Sequence, residues 1–327
     1  MDRYVYTFLL LLFVFFPFEE SDGQTTTDLK GLFEKKDITI VITDSGLGGL
    51  SVMNDIEEKL KTSGSFSKVH LIFVNALFDA ATGYNSLQTR QEKITVLNKV
   101  LTGIGSRYNP DIILIACNTL SVLYNETDFV RKSKVPVIGI VQAGVDLILE
   151  NLEKNPDSRV IIFGTETTIE EDSHKKALLQ NGIKGEMIIT KACPQLQSYI
   201  EQNPSGEETD MLISAYVSEV LETVPAGNGL VFASLNCSHF GYSEIFWKRA
   251  MESSMFKSGG ILNPNFTMGN FLMKKKYSFR YPETKISYLV VSKVELLNEK
   301  SMFSLFNAKS PGLADALENY QIIEDLF

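Results

Sequence analysis

From Asp37 onward, short runs of β-branched and other apolar residues alternate with longer amphipathic stretches. Such alternation belongs to βα units stacked on a parallel sheet whose two faces are both covered. It predicts strands at Ile38 to Thr43, Val69 to Val74, Asp111 to Ala116, Val135 to Ile140, Arg159 to Phe163, Gly185 to Thr190, Gly229 to Leu235 and Ile286 to Val291. Helix-like apolar spacing falls between them at Leu50 to Lys61, Leu87 to Ile104, Gly144 to Glu153, Glu170 to Asn181, Met211 to Thr223 and Tyr242 to Met251. The stretch from Phe256 to Pro282, with Gly-Gly, Asn-Pro and the cluster Lys274, Lys275, Lys276, interrupts the rhythm and reads as an irregular excursion with a solvated basic face.

Several partner classes are excluded by composition. With 40 acidic against 31 basic side chains the net charge is -9, so the broad positive surface that nucleic acid requires is missing. The three cysteines form no CxxC pair and the three histidines stand singly, which leaves no metal site of structural-zinc spacing. At 327 residues the chain has room for two domains, at roughly 150 residues each. After its first twenty residues no stretch is long and apolar enough to cross a bilayer.

The first 24 residues differ from the rest. An unbroken apolar run from Phe8 to Phe16 ends at Pro17 and is followed by an acidic, polar stretch, a pattern resembling a secretory signal. The expectation is an exported protein, periplasmic or secreted, or one anchored by an uncleaved segment. Asp2 offsets Arg3 and no A-x-A cleavage site follows; if the segment is instead a structural helix, the protein is cytoplasmic. Export would bring the thiols into an oxidising compartment.

Three predicted strand ends carry unusual residues, and in open α/β sheets ligands sit beyond the carboxyl ends of strands. The first is Thr43-Asp44-Ser45-Gly46-Leu47-Gly48-Gly49-Leu50-Ser51, a glycine-rich turn into a helix that fits neither common nucleotide-binding pattern. The second is Ala116-Cys117-Asn118-Thr119, where a thiol is followed by two side chains able to donate to a carboxylate. The third, Asn236-Cys237-Ser238-His239, repeats that logic in the other half of the chain. Either cysteine alone reads as a small buried hydrophobe; the two together suggest a cleft with one thiol on each wall.

In order and spacing, DSGLGGLSV, ACNT and NCSH resemble the glutamate racemases of the cofactor-independent aspartate/glutamate racemase superfamily. Weaker correspondences lie at VPVIGIV, GTETT and ACPQLQSYIE, and the resemblance covers roughly residues 38 to 250. It implies an α/β fold of two parallel-sheet domains of related topology facing each other across a cleft. The first domain would hold residues 37–140 and 260–327, the second 141–259. It further implies Cys117 and Cys237 as paired acid and base, Asp44 and His239 as their assistants, and Ser45, Gly83, Tyr84, Asn118, Thr119, Thr168 and Ser238 as substrate-binding residues. Glu201 matches an acidic residue near the second thiol. No cofactor and no metal are implied. The substrate would be a small amino acid, glutamate or aspartate, and the product D-glutamate would serve peptidoglycan synthesis; a homodimer is open.

Some positions depart from the family pattern. Asn75 stands where aspartate is usual, Ala81-Thr82-Gly83-Tyr84-Asn85 is a loosened Pro-Tyr-Gly segment, and Gln142-Ala143-Gly144 replaces Glu-Pro-Gly. Two alternatives therefore stay open: another enzyme of the superfamily, such as an aspartate racemase, a related isomerase or a decarboxylase, and a non-catalytic exported protein that captures a solute between two lobes. Cys193 reads as a buried core thiol, and His70 and His174 as structural or solvated.

Overall fold

The computed structural model describes residues 29–79, 83–225 and 227–327. The apolar leader and the residues Ala81 and Thr82 lie outside the described residues. Among the described residues no helix is long and apolar enough to cross a membrane.

Among the described residues, ten strands form two sheets: β1 (Asp37–Asp44), β2 (Lys68–Asn75), β3 (Ile112–Ile115), β4 (Val137–Gly139), β5 (Arg159–Gly164), β6 (Ile188–Ala192), β7 (Val231–Asn236), β8 (Ser258–Leu262), β9 (Lys285–Ser292) and β10 (Gln321–Ile322). The first sheet has the order β10-β9-β2-β1-β3-β4 and the second β6-β5-β7-β8. Every pairing is parallel. The protein is thus an α/β molecule of two lobes, and the chain returns to the first lobe after β8.

The strands are buried on both faces, and for this reason they read as continuous apolar runs. In β1, Ile40 and Ile42 join one core layer while Val41 joins the layer on the other side. In the second sheet, Ile161 and Phe163 face one layer, and Val160 and Ile162 the other. Cys193 is buried in the first of these two layers, beside Leu196 and Val217.

Helix ends follow local chemistry. The helix Arg90–Tyr108 begins three residues later than the apolar spacing indicates, because Thr89 and Glu92 close a capping box around its first turn. The helix expected over 170–181 is Ser173–Gln180; it starts three residues later, because Asp172 at φ 55° separates it from a short preceding helix, Glu166–Glu170. The helix Leu196–Gln202 opens from Gln195 at φ 61°, a turn with no apolar periodicity to announce it.

The excursion expected over 256–282 is partly regular. Residues Ser258–Leu262 form β8, which pairs with β7 and spans the expected domain boundary at 259/260. Its glycines mark a bulge rather than a break: the register shifts at Val231 and Phe232, and Gly260 adopts φ 100°. The remainder of that stretch is a series of short 3-10 turns.

Candidate active site

The carboxyl ends of β1, β3, β5 and β7 converge on a cavity of about 380 Å³. Asp44 ends β1, and the turn beyond it places Ser45 and Gly46 on the wall. Cys117 and Asn118 follow β3, Thr165 follows β5, and Cys237 follows β7. The lining also includes Gly83, Tyr84, Thr119, Ser238 and His239, and among the described residues it holds no lysine or arginine.

Cys117 and Cys237 are free and buried, one from each lobe. The Cys117 sulfur lies 3.2 Å from Ser45 Oγ. Burial pushes the Cys117 thiol well above its usual range, and the Asp44 carboxylate pushes it further. Asp44 is itself raised by burial, and both its oxygens lack a hydrogen-bond partner among the described residues.

On the opposite wall, His239 Nδ1 lies 4.0 Å from the Cys237 sulfur, and His239 Nε2 lies 2.5 Å from Glu201 Oε2. Burial works against a charged imidazole, but the contacts with Cys237 and Glu201 outweigh it and raise His239 well above the usual histidine value. Burial likewise opposes ionisation of Glu201, but the hydrogen bond and charge of His239, with the contacts from Leu47 and Asn298, together outweigh it, so Glu201 is lowered. The two shifts run together, each partner favouring the charged form of the other.

The polar lining faces inward with capacity to spare. Neither polar atom of the Asn118 side chain has a partner among the described residues, although Asn118 is 2% exposed. Tyr84 is buried with its ring edge against Phe78, and its hydroxyl is also unpartnered. Gly83 at φ 56° turns the chain so that this ring enters the wall. Thr119 Oγ1 lies 2.8 Å from Thr165 Oγ1, bridging the lobes.

Among the residues that the sequence marks for substrate, Thr168 does not reach the lining. It is buried behind Thr165, with the two hydroxyls 2.9 Å apart. Thr165, the N-cap of the helix Glu166–Glu170, occupies the wall in its place. The motif GTETT contained both threonines, and the cap position was the available signal. Glu201, Gln197, Ser198 and Gln202 arrive from the helix Leu196–Gln202, and Leu297 and Asn298 from the segment after β9. The latter two carry no sequence motif and reach the cleft only through packing.

Two of the departures from the family pattern, Asn75 and Gln142, lie outside the cavity lining. Asn75 donates to Ser292 Oγ at 3.2 Å and accepts from the Leu77 N–H at 3.1 Å, tying the end of β2 to β9. Gln142 donates to Asp146 on its own helix. Among the described residues no group of three or more His, Cys, Asp or Glu side chains is placed to hold a metal ion.

These features define a class: an α/β protein of two lobes whose parallel sheets present their carboxyl ends to one cleft, with a free thiol on each wall. A profile of the Asp/Glu/Hydantoin racemase family matches residues 40–227, more than half of the chain, and the protein belongs to that family of isomerases. A glutamate racemase of Sulfurihydrogenibium sp. is 29% identical over 206 residues, covering 62% of this chain and 70% of that relative. A glutamate racemase of Aquifex aeolicus is 26% identical over 202 residues, with the same coverage. In fold, the chain is similar to a glutamate racemase isoform of Bacillus anthracis, with a TM-score of 0.64 at 17% identity over 88% of this chain and 96% of that one. The glutamate racemase structure from Aquifex pyrophilus gives 0.57 at 20% identity, over 83% and 94%.

Proposed function

We propose that this protein is a cofactor-independent glutamate racemase that interconverts L- and D-glutamate by proton exchange between two thiols. One observation carries the reading: Cys117 and Cys237, each at the end of a strand in a different lobe, line the same cavity as free, buried thiols. Inverting a stereocentre by proton transfer requires a base on one face and an acid on the other, since a single group would return the proton to the face it left.

In each turnover one sulfur takes the Cα proton while the other sulfur gives its proton to the opposite face of the carbanion. One S–H bond forms and one breaks, so the two thiols leave the reaction with their roles exchanged. The unpartnered Asn118 amide, with Ser45, Thr119 and Ser238 around it, offers neutral donors to the substrate carboxylate, where carbanion charge spreads.

The two walls are tuned differently, which is how neighbouring groups take opposite acid and base roles. Cys117, raised by burial and by Asp44, holds its proton. A substrate α-ammonium beside Asp44 offsets that carboxylate charge and so removes one of the two contributions that hold the proton on Cys117, leaving burial as the other. On the other wall the proton on His239 faces the Cys237 sulfur, so negative charge there meets an N–H donor.

Purified protein should equilibrate D- and L-glutamate without added cofactor or metal, read by chiral chromatography across a panel of amino acids. A requirement for pyridoxal phosphate, or turnover confined to aspartate, would overturn the assignment. The product D-glutamate suits peptidoglycan synthesis. The leader Phe8 to Phe16 supports export or anchoring; a fusion of residues 1–30 to a reporter active only outside the cytoplasm should signal, and retention inside would reject it.

A further inference from the structure

Glu201 belongs to the second lobe, on the helix Leu196–Gln202, yet most of the groups that hold it come from the first. The N–H of Leu47, in the turn after β1, donates to Glu201 Oε2 at 3.0 Å. The Asn298 side-chain amide, in the segment after β9, reaches Glu201 Oε1 at 3.5 Å. Ser301, one turn further, donates to the Glu201 backbone carbonyl at 2.6 Å. Ser301 lies on the helix Glu299–Phe306, whose Met302 and Phe306 are buried in the first lobe's core. Among the described residues, only His239 contacts the carboxylate from its own lobe.

We propose that Asn298 is a positioning residue that reaches across the cleft to hold the Glu201 carboxylate against His239, so that the Cys237 wall is complete only where the two lobes meet. The inference rests on the racemase reading above, because it assigns Cys237 and His239 their work. A carboxylate held on one oxygen alone is free to turn about its broad terminal torsion. Leu47 and His239 both engage Oε2, and Asn298 supplies the contact at Oε1 that fixes the rotation. A neutral donor suits the position, since a carboxylate there would repel Glu201. Asn298 and Ser301 lie beyond residues 40–227, the part of the chain that the family profile matches.

The test compares two variants of the full chain. Asn298→Leu has nearly the shape of asparagine but no donor, whereas Asn298→Gln keeps the donor on a longer arm. In Asn298→Leu the His239 ring, followed by nitrogen NMR and assigned against His70→Gln and His174→Gln, should lose its proton at lower pH than in the parent. The alkaline limb of the rate profile should move to lower pH in step. kcat should fall about tenfold, the size expected for one hydrogen bond to a charged group, with KM little changed. Asn298→Gln should recover most of both. An unmoved His239 midpoint in Asn298→Leu overturns the proposal, as does an Asn298→Gln variant impaired as badly, the outcome of a purely steric role. Because the NMR midpoint needs no turnover, a parent protein that fails to racemise glutamate, with the midpoint still shifting, would reject the function and keep the positioning.

Discussion

Gly48 packs directly on His239: a β-carbon added to Gly48 would lie 2.7 Å from the His239 backbone nitrogen. The turn after β1 and the turn after β7 therefore touch without room for a side chain, and Gly48 is what lets the first lobe approach the imidazole. Gly48→Ala should displace the loop, with a cost of about 1–3 kcal/mol in thermal stability, typical of forced overpacking, and should abolish most of the turnover. Gly31→Ala, where nothing lies within 4 Å, is the control. Its position inside a short helix predicts unchanged activity and equal or slightly higher stability. Gly48→Ala with parental melting and turnover would mean that the two turns do not pack in this way.

The thiol pair makes a prediction with a thermodynamic constraint. Glutamate enantiomers have equal free energy in water, so kcat/KM must be equal in the two directions for the parent and for every variant. Cys117→Ser should lower both together, by about a thousandfold, within the range for loss of a general acid or base. The asymmetry should appear elsewhere, in proton exchange at Cα without inversion. In deuterated water Cys117→Ser should exchange the Cα proton of one enantiomer only, and Cys237→Ser that of the other. Exchange of the same enantiomer by both variants would contradict one thiol per wall.

His174 gives a stability prediction independent of catalysis. It is buried, its Nε2 has no partner among the described residues, and burial lowers its pKa from 6.5 to about 4. The folded state therefore binds fewer protons than the unfolded state between those values. Stability should fall as pH drops from 6.5 towards 4, by up to about 3 kcal/mol from this residue. His174→Asn removes the titration, so denaturant midpoints of parent and variant should diverge on acidification. Parallel curves through that window would show that His174 does not carry this penalty.

The strand ends were legible because they combine two strong local signals: an apolar run buried on both faces, and a chemically unusual residue immediately after it. Cys117 and Cys237 satisfy both conditions, as do Asp44 and Ser45. β8 was hidden by Gly259 and Gly260, which look like a chain break when the partner strand is unseen. The helices Glu299–Phe306 and Pro311–Glu318 span two turns each, too short for apolar spacing to stand out from composition. Leu297 and Asn298 were illegible for another reason. Their placement depends on β9 returning beside β2, a tertiary event that no local pattern records. The family resemblance points to Thr168, but GTETT holds three threonines, and the cap geometry puts Thr165 on the wall with Thr168 behind it.

A cavity lined without lysine or arginine, in a chain of net charge -9, sets how an anionic substrate arrives. Among the described residues of the lining no lysine or arginine draws the ligand inward, and the chain's net negative charge opposes its approach, the reverse of electrostatic steering. Added salt shortens the reach of that opposition, the Debye length being about 10 Å at 0.1 M. Encounter with a dicarboxylate should thus quicken as ionic strength rises, where a steered enzyme would slow.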